Sequence, residues 1–227
     1  MKDAYRDTAE LLLDIAPRVF AEPEFAMKGG TAINLFVQPL PRLSVDIDLV
    51  FVPADFEREE ALQRISAALN RIQVALGRAP GMNARLGGAD GDEVKLFVTR
   101  NDVRVKVEVN TVFRGTVYTP IRSGLSKAAT EYFKREVSVA LLDRDELYAS
   151  KLVAAMDRQH PRDLFDVMLL LGQGGITPRM RRVRGLCRGP QSTDWRTVDA
   201  ESAAARGRLR LRLCWNDREG GAARRLT

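Results

Sequence analysis

The chain has 227 residues, of which 45% are hydrophobic and 29% charged, a composition typical of a globular protein with a sizeable buried core. Two cysteines and one histidine are too few for a disulfide scaffold or a zinc cluster. The apolar run at residues 167–171 is too short to cross a bilayer, and the opening sequence, MKDAYRDTAE, lacks the apolar core of a secretion signal. We therefore expect a cytoplasmic protein without a membrane partner.

Hydrophobic periodicity predicts an α+β chain in which a small sheet with flanking helices is followed by a mostly helical part. Helices are predicted at residues 3–16, where Pro17 is expected to end the helix, and at residues 32–36, 57–76, 145–157 and 162–171. Strands are predicted at residues 44–52, at 94–99 and 103–109 as a hairpin, and at 137–142. The glycine-rich residues 80–92 are expected to form a loop.

The glycine pair Gly29-Gly30, followed by Thr31, precedes the short helix predicted at residues 32–36. Adjacent glycines let the backbone approach a ligand closely, and the free N–H groups at the start of a helix attract phosphate. Thr31 adds a hydroxyl donor. The same three residues would also fit a plain helix cap.

Two aspartates lie on one face of the strand predicted at residues 44–52. Val45, Ile47 and Leu49 alternate with Asp46 and Asp48, so the carboxylates face away from the apolar side. Their Cα atoms should be about 6 to 7 Å apart, which suits the paired magnesium ions of phosphoryl-transfer sites. The solvated side of an edge strand would show the same pattern.

Glu108 is a third acid, on the polar face of the strand predicted at residues 103–109. If this strand lies beside the strand that carries Asp46, Glu108 completes a carboxylate triad that could hold metal and accept a proton from an attacking hydroxyl. A cross-strand ion pair with Arg104 or Lys106 is the alternative interpretation.

Three segments resemble the motifs of one family. They are MKGGTAINLF, RLSVDIDLVF and, later in the chain, ELYASKLVAAMDRQHPRDLFDVMLLL, which has a lysine on one helix followed by an R-D-x-x-D helix. In this order and spacing they are similar to the nucleotidyltransferase-fold toxins of the AbiEii type, members of the polymerase-beta-like superfamily. The resemblance covers about residues 25–176. It implies a polymerase-beta-like nucleotidyltransferase core at residues 1–120, a small mixed sheet flanked by helices, and a mostly helical C-terminal lobe at 121–176.

The resemblance also implies roles for residues in the first two segments. Gly30 and Thr31, together with Gly29, would hold the triphosphate of an NTP. Asp46 and Asp48 would hold Mg²⁺ and take part in catalysis.

Two residues of the third segment would complete the site. Lys151 would contact the phosphates, and Asp163 would be an active-site acid that orients the lysine through a charge-assisted hydrogen bond. Glu108 would be the third catalytic carboxylate. A protein of this kind mainly positions groups and neutralises charge, so acids for magnesium and a lysine for phosphates form a coherent set.

The function that these motifs favour is a magnesium-dependent nucleotidyltransferase toxin. The family resemblance implies transfer of a nucleoside monophosphate from an NTP to RNA, with the 3′ end of tRNA as the expected acceptor, and neutralisation by an antitoxin encoded alongside. A non-catalytic module that binds NTP and a decayed, inactive homologue are the alternatives.

Residues 177–227 differ from the rest of the chain. They contain 13 arginines, no lysine and five acids, a net charge of +8, whereas the whole chain carries +6 and residues 1–176 therefore carry −2. An arginine-rich arm for nucleic acid is one interpretation. We favour a slip of reading frame, after which the segment would be aberrant or poorly ordered.

The frame hypothesis follows from the codons. Arginine codons of the form CGN become GNN codons, for Ala, Val, Asp, Glu or Gly, when read one base later. With suitable synonymous codons, residues 182–202 then read AFVVYVAGHNRPIGELLTPN and residues 213–218 give YAGMT. Both products are similar to the C-terminal region of the same toxin family.

Overall fold

A mixed sheet forms the centre of the computed structural model, which describes residues 2–87, 93–111 and 114–187. Within these ranges the strands are β1 (Phe25–Lys28), β2 (Ile47–Phe51), β3 (Met82–Leu86), β4 (Glu93–Arg100), β5 (Val103–Asn110), β6 (Ile121–Gly124) and β7 (Ser138–Leu141). They lie side by side in the order β3-β4-β5-β2-β1-β7-β6. The pairs β2–β5 and β1–β7 are parallel, and the other neighbours are antiparallel.

Helices surround this sheet. In chain order the described helices are α1 (Lys2–Val19), α2 (Gly29–Thr31), which continues as a π-helix (Ala32–Val37), α3 (Arg58–Gly77), α4 (Lys127–Phe133), α5 (Arg144–Arg158), α6 (Pro161–Gly172) and α7 (Pro178–Cys187). No helix among the described residues combines the length and the apolar character that crossing a membrane requires.

The two faces of the sheet differ because side chains alternate along each strand. On β5, Val105, Val107 and Val109 are fully buried, and α1 packs against this strand while α3 packs against β3 and β4. The intervening residues Arg104 and Lys106 remain exposed or half-buried on the other face. Along β3, β4 and β5 the sheet therefore has one apolar face in the core and one polar face. On β1 and β2 the same side carries buried Ala26 and Val50 beside Lys28 and Asp48, and the candidate site lies on this side.

The C-terminal helices pack together near the π-helix. Helix α5 contacts α2, the π-helix, α6 and α7, and Met180 and Val183 of α7 are buried. The Gln38 amide, at the end of the π-helix, bonds the Tyr148 hydroxyl on α5 and exchanges two hydrogen bonds with the Gln173 amide, at 2.8 and 2.9 Å, beyond α6. These bonds tie the helices after residue 143 to the glycine-containing segment before residue 38.

The α+β class is confirmed, and several element boundaries differ from the prediction. Helix α1 continues through Pro17 to Val19, because a proline in the last turn removes a single intrahelical hydrogen bond. Strand β3 lies inside the predicted 80–92 loop, and β4 holds it in antiparallel register. Strand β6, which the sequence did not predict, is mostly exposed and owes its conformation to pairing with β7.

Residues on both sides of the boundary predicted at residue 120 contribute strands to the sheet, since β6 and β7 extend it beyond β1. Residues 178–187, at the start of the arginine-rich segment, form α7. The rest of the predicted aberrant tail, residues 188–227, lies outside the described residues.

Candidate active site

Asp48 lies in a row of charged residues that crosses the polar face of four strands. Lys28 on β1 is opposite Asp48 on β2, Asp48 is beside Glu108 on β5, and Glu108 is opposite Lys95 on β4. Asp46 precedes β2 by one residue and has the same parity as Asp48. The predicted adjacency of the strands that carry the aspartates and Glu108 is therefore present in the fold.

The environment of Asp48 disfavours a lone negative charge. Burial raises the pKa of its carboxyl group, the positive charge of Lys28 lowers it, and the negative charge of Asp46 raises it again, with a net upward shift. A divalent cation between the two aspartates would relieve this repulsion, and Mg²⁺ is commonly held by one or two carboxylates together with substrate phosphates. The donor set therefore fits a magnesium ion.

Gly29 packs directly against this carboxylate. Its φ of +79° lies in the left-handed region, and a Cβ built on it would lie 2.1 Å from Asp48 Oδ2. Only glycine satisfies both the backbone conformation and the space beside Asp48. The glycine turn is thus in contact with Asp48, which the sequence predicts to be a metal ligand.

Thr31 is fully buried, and its hydroxyl is bonded to the aspartate segment. Thr31 Oγ1 lies 2.5 Å from the main-chain oxygen of Asp46 and 3.0 Å from Ser44 Oγ. The hydroxyl that the sequence analysis assigned to phosphate is therefore engaged with the chain that carries Asp46, so its effect on the site is to fix the position of that chain.

Glu108 is held by two lysines. Its carboxylate pairs with Lys106 Nζ and lies 3.4 Å from Lys95 Nζ. Burial lowers the pKa of Lys106, but the hydrogen bond and charge of Glu108, with the charges of Asp46 and Asp48, raise it overall. In the parts of the chain that the structure describes, no three acidic, histidine or cysteine side chains converge as a metal site. Glu108 therefore lies beside Asp48 with its carboxylate paired to two cations.

Lys151 and Asp163 meet in the interior, as the sequence analysis expected of them. Lys151 Nζ, on α5, donates to Asp163 Oδ1 at 2.8 Å and lies 3.2 Å from Asp166 Oδ2, both on α6. Lys151, Asp163 and Asp166 are 6%, 4% and 0% exposed. Burial raises the pKa of Asp163, but the hydrogen bond and charge of Lys151, together with Arg158, outweigh it and lower the pKa overall.

Asp166 connects these helices to the glycine turn. Arg42 donates to it through Nε at 3.0 Å and Nη2 at 2.7 Å, a bidentate pair. Asn34 Nδ2 donates to Asp166 Oδ1 at 3.2 Å and to the main-chain oxygen of Gly30 at 2.8 Å. A Cβ on Gly30 would lie 2.8 Å from Arg42 Nη2. Side chains from three other segments, those of Asn34, Arg42 and Lys151, therefore meet at Asp166, close to Gly30.

The sequence does not indicate that Asp166 and Arg42 belong to one group. A signal for Asp166 was available, since Asp163 and Asp166 are three residues apart on one helix and face the same way. The pairing of Arg42 with Asp166 joins residues 124 positions apart, and no local pattern indicates it. Lys106 pairs with Glu108, as the ion-pair interpretation of Glu108 predicts.

Comparisons with known proteins identify the family and a similar fold. A family model described as nucleotidyl transferase AbiEii toxin, type IV toxin–antitoxin system, matches residues 10–204, a longer range than the segments quoted above. A solved structure of MenT4, a nucleotidyltransferase toxin from Mycobacterium tuberculosis H37Rv, is similar in fold, with a TM-score of 0.54 and 18% sequence identity over 78% of this chain. The chain spans 64% of the length of MenT4. No curated protein sequence matches it. By its family match, the chain belongs to the AbiEii nucleotidyltransferase toxins of type IV toxin–antitoxin systems.

Proposed function

We propose that the protein transfers a nucleoside monophosphate from an NTP to an RNA acceptor, with the 3′ end of tRNA as the expected target, in a reaction that requires Mg²⁺. The observation that carries the proposal is the contact of Gly29 with Asp48, on a turn whose other glycine is linked through Asn34 to Asp166. The turn that we assign to phosphate and the carboxylate that we assign to metal are in contact, which supports nucleotidyl transfer.

In this proposal the glycines, the two aspartates and Thr31 have separate roles. The backbone of Gly29 and Gly30 cradles the phosphates, because neither residue has a side chain to keep them away. Asp46 and Asp48 would hold Mg²⁺. When bound, the ion would neutralise negative charge on the phosphates. Thr31 fixes the segment of Asp46 through its bond to the main-chain oxygen.

Lys151 is assigned to the phosphates. Its ammonium group donates one hydrogen to Asp163 and forms an ion pair with Asp166, and we assign a remaining hydrogen to a phosphate oxygen. Asp163 acts through the lysine as a positioning residue. Replacing Lys151 with alanine should then weaken both NTP binding and transfer, whereas Asp163→Asn should lower the rate more than the affinity.

The reaction balances as a simple displacement. The acceptor hydroxyl oxygen forms a bond to the α-phosphorus, the bond to the β,γ-diphosphate breaks, and pyrophosphate leaves. The hydroxyl proton passes to a carboxylate of the polar face or to water. Since the protein would act on RNA in the cell that makes it, an antitoxin partner, which membership of the family implies, would keep it inactive.

The test is an incubation with each α-labelled NTP, Mg²⁺ and total RNA, followed by electrophoresis of the RNA. We expect label on RNA with at least one NTP, none after chelation of the metal, and none with Asp48→Asn. The Asp48→Asn variant should melt at the same temperature as the unchanged protein or higher, because it removes a repelled charge. Labelling of RNA by a folded Asp48→Asn protein at the unchanged rate would contradict the role of Asp48, and the absence of labelling with all four NTPs would contradict the function.

A further inference from the structure

The polar face of the sheet does not end at the aspartates but continues across β5, β4 and β3. Five side chains stand on this part, which we name the β3–β5 face: Arg85, Lys95, Phe97, Arg104 and Lys106. The register aligns Arg85, Phe97 and Lys106 in one row, and Lys95 lies in the row of Glu108. Arg85 and Arg104 are exposed, and the other three are half-buried.

The charge of the β3–β5 face is positive. It has four cationic side chains, and Glu108, which stands among them, pairs with Lys95 and Lys106. Because residues 1–176 have a net charge of −2, this concentration of cations is a local feature and not a reflection of overall composition. A partner with regularly spaced negative charges complements such a face.

An aromatic ring lies among these cations. The guanidinium carbon of Arg104 is 4.8 Å from the centroid of the Phe97 ring. The ring also packs closely on Gly87, where a Cβ would lie 2.9 Å from Phe97 Cε2. A planar arginine over an aromatic ring on a polar sheet face is a surface on which an unstacked base can stack.

The position of the face is set by the strand order. Strand β5 lies between β4 and β2, so the face begins next to Asp48 and extends toward the β3 edge of the sheet. At about 4.8 Å per strand, the distance from β2 to β3 is roughly 14 Å. A chain of nucleotides that lies along this face can therefore present its terminal hydroxyl at Asp48.

We propose that the β3–β5 face binds the single-stranded 3′ end of the acceptor RNA, with Arg85 and Arg104 on its phosphates and a base stacked on the Phe97–Arg104 pair. This inference rests on the proposed function for the identity of the acceptor. It adds the surface that positions the acceptor, which is separate from the residues assigned to NTP.

The experiment measures binding of a fluorescein-labelled single-stranded oligoribonucleotide by anisotropy, without NTP, at several salt concentrations. Arg85→Ala and Arg104→Ala should each weaken binding and reduce the slope of log K against log salt by about 0.7, the value for one phosphate contact on a single strand. Phe97→Leu keeps an apolar side chain but removes the stacking surface, and should weaken binding at least fivefold without changing the slope.

Arg18→Ala is the matched control. Arg18 is an exposed arginine near the end of α1, the helix that packs on β5 from the apolar face. It should change neither affinity nor slope. The basic residues after residue 177 are present in all variants, so the differences between variants report on the β3–β5 face alone.

Two results would overturn the proposal: equal effects of Arg18→Ala and Arg85→Ala, or RNA binding unchanged in the Arg85 and Arg104 variants. A failure of the proposed function is distinguishable, since unchanged protein that binds RNA through this face but transfers no label would keep the surface and lose the reaction.

Discussion

Replacing Gly29 with alanine tests the contact on which the candidate site depends. The structure predicts two separate effects. The φ of +79° disfavours any residue with a Cβ, which costs about 1–2 kcal/mol of stability. In addition, the new Cβ would lie 2.1 Å from Asp48 Oδ2, so the carboxylate must move by about 1 Å to restore van der Waals contact.

A displacement of about 1 Å at a catalytic group typically costs a hundredfold in rate, so we expect Gly29→Ala to lower nucleotidyl transfer by roughly two orders of magnitude. Gly81→Ala provides the matched control. Gly81 has a φ of +71°, and nothing lies within 4 Å of a Cβ built on it. It should lose a similar free energy of unfolding and keep its activity.

Urea unfolding gives the two stabilities, and the labelled-NTP assay gives the two rates. Equal transfer rates for the Gly29 and Gly81 variants, at equal stability, would refute the argument that Gly29 leaves room for Asp48. A large loss of activity in both variants would show instead that the assay responds to stability alone.

Three further predictions concern the polar interior. Arg42→Met should lower the free energy of unfolding by about 3 kcal/mol, because it leaves Asp166 buried with Lys151 as its remaining cation. In urea unfolding, the double change Arg42→Met/Asp166→Asn should cost less than the sum of the two single changes. Additive costs would contradict a direct interaction between Arg42 and Asp166. Thr31→Val should lower the free energy of unfolding by about 1–3 kcal/mol and lower the transfer rate, because the main-chain oxygen of Asp46 loses the Thr31 hydroxyl as a donor. Thr31→Ser keeps the hydroxyl and should retain both stability and rate. Losses in Thr31→Ser equal to those in Thr31→Val would contradict the positioning role. The pKa of the Asp163 carboxyl is lowered on folding, so the stability that its charge contributes is complete above about pH 4 and is lost as the pH falls further. The difference in unfolding free energy between the unchanged protein and Asp163→Asn should therefore be largest near neutral pH and shrink below about pH 4. A difference that grows in acid would contradict the ion pair of Asp163 with Lys151.

The residues of local motifs could be predicted from the sequence. The alternation of apolar residues with Asp46 and Asp48 predicts a strand, and β2 begins at Ile47, one residue after Asp46. The steps of three and four residues along α3 reflect its buried stripe. Both signals arise within a few residues of the chain. The same applies to the hairpin of β4 and β5, whose turn contains Asn101 with a φ of 53°, a conformation that asparagine tolerates.

Features that depend on distant parts of the chain could not be predicted in the same way. Strands β3 and β6 are short and largely exposed on their polar sides, so their conformation comes from pairing with β4 and β7. The bidentate pair of Arg42 and Asp166 depends on the packing of α6 beside the glycine turn. Thr31 shows a further limit, because a hydroxyl near a phosphate-binding turn and a hydroxyl bonded to the next segment look identical in sequence.

The assembly of the site around Asp166 has a consequence for the synthesis of the protein. Both aspartates and the glycine turn are translated by residue 48, but Arg42, Asn34 and Lys151 have no common partner until α6 has left the ribosome. Because Asp166 joins all three, the nascent chain carries Asp46 and Asp48 for more than a hundred codons before the lysine can be held in place. Under the proposed function, a cell that makes this toxin is not exposed to its activity during elongation, and an mRNA cut or stalled before codon 166 yields a harmless fragment.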